Sequence, residues 1–140
     1  MKNWFLSLQG AITLSLIALL TFIGRLFLDW RYESSLMGAA GSTEETINIL
    51  LHLAFIGGWV LAMLAATHGS RGGLIACIIF VLLLDLGFAF AMFFFWCPPG
   101  SCRGFPFNSG LWRWTWAQLV FGLAATSALI MQIRQKRAAG

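Results

Sequence analysis

Charge is what this 140-residue chain has least of. Lysine and arginine contribute nine residues and aspartate and glutamate five, together 10% of the chain. An average soluble domain carries about a quarter. So few charges cannot clothe a water-soluble globule of this size, and the apolar content excludes disordered, collagen-like and coiled-coil classes. Proline is also scarce. Pro98, Pro99 and Pro106 fall close together, so none interrupts the apolar runs on either side. Catalytic signatures are missing: there is no Walker loop, G-x-G-x-x-G, G-x-S-x-G or H-E-x-x-H. The three cysteines form no C-x-x-C and no haem-attachment C-x-x-C-H. The small net charge of +4 is spread along the chain, which argues against nucleic-acid binding.

What is present is apolar. Hydrophobic residues make up 59% of the chain, and the mean hydropathy is +0.82. A helix crossing the hydrocarbon core needs about 20 mostly apolar residues. Four segments qualify: Asn3 to Gly24, Thr46 to Thr67, Gly72 to Trp96 and Trp114 to Ile133. At their widest the first and last run over 3–28 and 112–133, with outer loops at 29–45 and 97–111. Of the charged residues only Asp85 lies within the four segments. Continuous runs of this length exclude the alternating pattern of a barrel strand. The expectation is a single all-α integral membrane domain, an antiparallel bundle of four transmembrane helices with short loops. The first run is too long for a signal peptide and has no A-x-A-like site before Arg25, so it is read as a retained helix.

The helix ends are marked. Ser42-Thr43-Glu44-Glu45 fits a capping box. Pro98-Pro99-Gly100 stops the third helix, and Asn108 or Ser109 can cap the fourth. The short link His68-Gly69-Ser70-Arg71 makes spans two and three a hairpin. An even number of spans puts both termini on one side. That side holds Lys2, Arg71, Arg134, Lys136 and Arg137, against Arg25, Arg31, Arg103 and Arg113 on the other. The positive-inside rule and the basic C-terminal run then favour cytoplasmic termini. Trp30, Trp96, Trp112, Trp114 and Trp116 fall at the outer boundary and Trp4 at the inner one, as an aromatic belt requires. Some of Trp112, Trp114 and Trp116 can instead meet a partner subunit.

Ionisable groups inside a span are costly and are candidates for function. His52 lies about six residues inside span two, and Asp85 eleven residues before Trp96. At 1.5 Å per residue these are roughly 9 and 16 Å deep. Asn48, His52 and Trp59 share one helix face. They form, with Asp85, a possible quinone or lipid-headgroup site, in which His52 donates to a carbonyl and Asp85 accepts a proton. The plainer reading is interhelical hydrogen bonding. Cys97 and Cys102 bracket the turn Pro98-Pro99-Gly100-Ser101, so an outer-face disulfide is expected. Cys77 reads as a small core residue, and no metal site is expected. Ala54, Gly58, Ala62 and Ala66 recur every four residues, a stripe that lets helices approach closely within the bundle or at a partner.

In size and organisation the chain resembles the small integral subunits that surround the catalytic core of bacterial respiratory and photosynthetic complexes. That resemblance implies a non-catalytic accessory subunit of a quinol-oxidising or similar complex in the bacterial inner membrane. Its partners would be other integral membrane subunits and lipids. It would bind no cofactor of its own beyond a possible quinone or lipid contact. The alternatives are a small membrane redox protein using a quinone or the Cys97/Cys102 pair, and a small proton carrier centred on Asp85.

Overall fold

The computed structural model describes Trp4 and residues 7–37, 43–94 and 109–138, with side chains for 4, 7–28, 46–87 and 114–138. Among the described residues four helices follow one another: α1 (Leu8–Met37), α2 (Thr43–Thr67), α3 (Arg71–Phe94) and α4 (Ser109–Ala138). Among the described residues three stretches are long and apolar enough to cross a membrane: Leu8–Leu28, Thr46–Thr67 and Trp114–Ala138.

The first helix starts later than Asn3, because Ser7 caps it. The Ser7 hydroxyl accepts the Gly10 amide at 3.0 Å, which satisfies one of the donors a helix start leaves open. The same helix runs on to Met37, well into the expected loop at 29–45, and α2 begins there too, at Thr43. Hydropathy marks where lipid ends, whereas a helix ends where a breaker stands, and the first glycine after Gly24 is Gly38. Likewise α4 passes Ile133 and continues through Arg134, Lys136 and Arg137 to Ala138. Ser42, the cap residue of the proposed box, lies outside the described residues.

The α2–α3 link is a tight helical hairpin. Gly69 has φ of +77°. Its amide bonds the Ala66 carbonyl at 2.9 Å, and the Ser70 amide bonds the Ala65 carbonyl at 3.2 Å. These are the paired bonds of a Schellman stop, which needs a left-handed residue that glycine supplies without strain. Ser70 then starts α3, its hydroxyl accepting the Gly73 amide at 3.2 Å. A Cβ on Gly73 would stand 2.5 Å from the Ala66 nitrogen and 2.7 Å from the Ala65 carbonyl carbon. The two backbones therefore touch where the hairpin closes.

Neighbouring helices run antiparallel. Ser15 meets Trp59 and Phe22 meets His52 between α1 and α2. Thr21 meets Gln118 and Gly24 faces Trp114 between α1 and α4. Asp85 sits on Gly122 between α3 and α4. Lys136 donates to the Gly69 carbonyl, and Arg71 donates to the Lys136 carbonyl at 3.1 Å, which ties the end of α4 to the hairpin. The helices thus pack in the cyclic order α1–α2–α3–α4. Trp59, Leu74, Val81, Cys77 and Leu129 fill the centre. The seam between α1 and α4 is closely packed and that between α1 and α2 is sparse, and the candidate site opens along this sparse seam.

Candidate functional site

A cavity of about 490 Å³ lies between α1, α2 and α3. Phe22 and Arg25 come from α1, Asn48, Leu51, His52 and Phe55 from α2, and Leu83, Leu84 and Gly87 from α3. Its size is in the range of pockets that hold small amphipathic ligands. It exists because the first part of α2 stands away from α1. Ile47, Ile49, Leu50, Leu51 and Leu53 are each about half exposed or more, and at about 100° per residue they cover the helix surface except on the side of Asn48, His52 and Phe55. Gly87 enlarges the space, since a Cβ there would meet nothing within 4 Å.

The cavity is polar at one end and apolar along the rest. His52 Nδ1 lies 2.7 Å from the Asn48 carbonyl oxygen. A carbonyl can only accept, so Nδ1 carries the proton, and in the neutral ring Nε2 is left as an acceptor. The Phe22 ring stacks on His52, with centroids 6.2 Å apart. Phe55 packs edge-on against Phe22, Trp59 and Phe80, forming an aromatic floor. Arg25 lies three residues inside the end of the Leu8–Leu28 stretch and His52 six residues inside Thr46–Thr67. At 1.5 Å per residue they are about 5 and 9 Å from the span ends, the level of headgroups and upper acyl chains.

The four residues expected to form one site do not all meet. Asn48 and His52 line the cavity together. Trp59 lies deeper, fully buried, with its indole Nε1 donating to the Ser15 hydroxyl at 3.0 Å. Asp85 turns towards α4, its carboxyl lying over Gly122 and beside Gln118. Successive residues on a helix point about 100° apart, so Leu84 and Gly87 face the cavity while Asp85 faces away from it.

Asp85 belongs to a separate buried polar group. Neither carboxyl oxygen, nor Gln118 Nε2, has a hydrogen-bond partner of good geometry. The Thr21 hydroxyl reaches both the Ala18 carbonyl, at 2.8 Å, and Gln118 Oε1, yet one hydroxyl proton serves only one of them. Two arrangements satisfy the group. In one, Thr21 donates to Gln118 Oε1 and the amide nitrogen turns to an ionised Asp85. In the other, the amide is flipped. Its nitrogen then donates to Thr21, Thr21 donates to Ala18, and its oxygen accepts from a protonated Asp85.

The small-residue stripe divides. Ala62 and Ala66 are buried, and Gly58 seats the Phe80 ring, so this part packs α2 on α3. Ala54 is exposed. Trp114 covers Gly24, whereas Trp116 is 49% exposed. The Trp112 side chain, Cys97 and Cys102 lie outside the described residues. Cys77 is buried in the core. Among the described residues no group of three histidine, cysteine, aspartate or glutamate side chains stands ready for a metal.

Sequence reasoning passed over Arg25, Ser15, Thr21 and Gln118. Arg25 was legible as more than a boundary mark, since Leu26-Phe27-Leu28 continues the apolar run beyond it. Gln118 is the strongest hydrogen-bonding side chain between Trp116 and Ile130, and such a residue in a span seeks a partner helix. Compared with known families, characterised proteins and solved structures, the chain matches none.

Proposed function

We propose that the chain is an integral membrane protein of four spans, with α3 as the remaining span and both termini cytoplasmic, in a bacterial inner membrane. On this reading it is a non-catalytic accessory subunit of an energy-transducing complex, and it braces neighbouring subunits and lipids. The observation that carries the reading is the first half of α2. A helix with Ile47, Ile49, Leu50, Leu51 and Leu53 all exposed has bare apolar surface on the sides away from Asn48 and His52, with little of its own chain against it there. In lipid, such a surface acquires specificity through close packing with another helix. Extraction in a gentle detergent followed by a native gel tests this. The chain should migrate with other integral subunits, and migration as a single species would remove the proposal.

A second reading, a small proton carrier, has the buried group of Asp85, Gln118 and Thr21 in its favour, because its two hydrogen-bond arrangements differ by one proton. Proton flux into liposomes should then fall on Asp85→Asn. Unchanged flux would eliminate this reading.

A further inference from the structure

We infer that the end of α4 carries a docking face for an anionic phospholipid, with Arg134 and Arg137 on its phosphate and Ile130 and Met131 along its acyl chains. The inference rests on the membrane reading above and adds to it a ligand class. Charge is divided unequally between the two ends of the bundle. Arg25, Arg31, Arg103 and Arg113 fall at one end, where Asp29, Glu33, Glu44 and Glu45 equal them in number. Lys2, Arg71, Arg134, Lys136 and Arg137 fall at the other, and no acidic side chain occurs before Asp29 or after Asp85. Asp85 itself is buried on Gly122 between α3 and α4. The net positive charge is therefore concentrated at one rim, which a negative headgroup layer attracts.

The fold turns that count into a surface. Along the sequence only Arg134, Lys136 and Arg137 stand together. In the bundle Arg71 joins them, donating to the Lys136 carbonyl at 3.1 Å while Lys136 donates to the Gly69 carbonyl. Four cations then share the rim, enough for a basic cluster that holds anionic lipid. The two bonds hold the last turn of α4 against the hairpin, and both acceptors are neutral, so neither bond cancels a charge. Arg134 and Arg137 are exposed and lie one turn apart on one face. On the same face, four and three residues before Arg134, Ile130 and Met131 are 39% and 43% exposed. At 1.5 Å per residue the two arginines stand about 1.5 and 5 to 6 Å past Ile133, at headgroup level. A guanidinium meets a phosphate through two parallel N–H donors. A soluble polyanion matches the cations alone, whereas a phospholipid covers both the cations and the apolar turn beside them.

The purified full chain is equilibrated with equal amounts of phosphatidylglycerol and phosphatidylcholine, and retained lipid is counted by native mass spectrometry. One cation at a headgroup contributes about fivefold, so the two arginines should give the wild type a preference for phosphatidylglycerol of about 25-fold. Arg134→Gln and Arg137→Gln should each lower the ratio about fivefold, and the double variant should lose both factors. Changing both to lysine should keep most of the preference. Arg103→Gln, at the opposite end, should leave it unchanged. Ile130→Ser with Met131→Ser should lower retention of both lipids alike. Excess inorganic phosphate should leave the lipid in place, because it makes no use of the apolar turn. Equal retention of the two lipids by the wild type overturns the inference, as does a ratio that the double glutamine variant leaves unmoved. Displacement of the lipid by inorganic phosphate or by a short oligonucleotide overturns it as well. Failure of the membrane reading itself would look different: the chain would leave the membrane on alkaline washing without detergent.

Discussion

Two glycines on α3 allow the same chemical change to be made with opposite consequences. At Gly73 an added Cβ would lie 2.5 and 2.7 Å from backbone atoms of Ala66 and Ala65. Backbone does not rotate away as a side-chain tip does, so α2 and α3 must separate by several tenths of an ångström. Overpacking of this kind costs about 1–3 kcal/mol, and a clash with backbone belongs at the upper end. Alanine regains about 1 kcal/mol of helix propensity, so Gly73→Ala should destabilise by about 2 kcal/mol. At Gly87 nothing lies within 4 Å of the added carbon. Only the propensity gain applies there, and Gly87→Ala should stabilise by up to about 1 kcal/mol. The two variants should differ by about 3 kcal/mol, roughly 10 °C in melting temperature for a chain of this length. Circular dichroism melts of the two purified variants, in one detergent and at one concentration, read that difference directly. Equal melting temperatures would refute the close hairpin and, with it, the register on which the positions of His52 and Asp85 depend.

Other perturbations follow the same contacts. Trp59→Phe and Ser15→Ala each break one buried indole–hydroxyl bond, at about 1 kcal/mol, and the double variant should lose little more than either single one in the same melt. Gln118→Leu leaves Thr21 and Asp85 without their shared partner and should cost about 1–3 kcal/mol. Asp85→Asn can still donate to Gln118 Oε1, and it should fold with near wild-type stability. A collapse of Asp85→Asn in size-exclusion chromatography would show that a carboxyl in particular is required. Gly69→Val places a β-branched residue at a φ of +77° and should lower the melting temperature more than Gly69→Asn, which tolerates the left-handed region.

Much of the helix pattern was written in the apolar runs. The second apolar run lies within one helix, α2, the four-residue link is a glycine turn, and α4 starts at Ser109. The ends of α1 and the start of α2 were not legible in the same way, because nothing between Gly24 and Gly38 forbids a helix once the lipid-facing run is over. The candidate site was half legible. Asn48, His52 and Trp59 do share a face, as their spacing requires. That face is covered by α1 at Trp59 and open at His52, because α2 diverges from α1 along its length. Divergence between helices is a property of the packed bundle, and no single-helix periodicity encodes it. Depth alone made Asp85 and His52 neighbours, and rotation about the α3 axis then sent Asp85 to Gln118.

The exposed half of α2 is where the central claim can be tested most directly. A photo-crosslinking residue placed at Ile47, Leu50 or Leu53 in native membranes, one at a time, reports what lies against each position. Illumination should produce an adduct of one constant mass from at least two of the three positions, corresponding to a single additional membrane subunit. Adducts with lipid alone at all three would contradict the account of this chain as a bracing subunit.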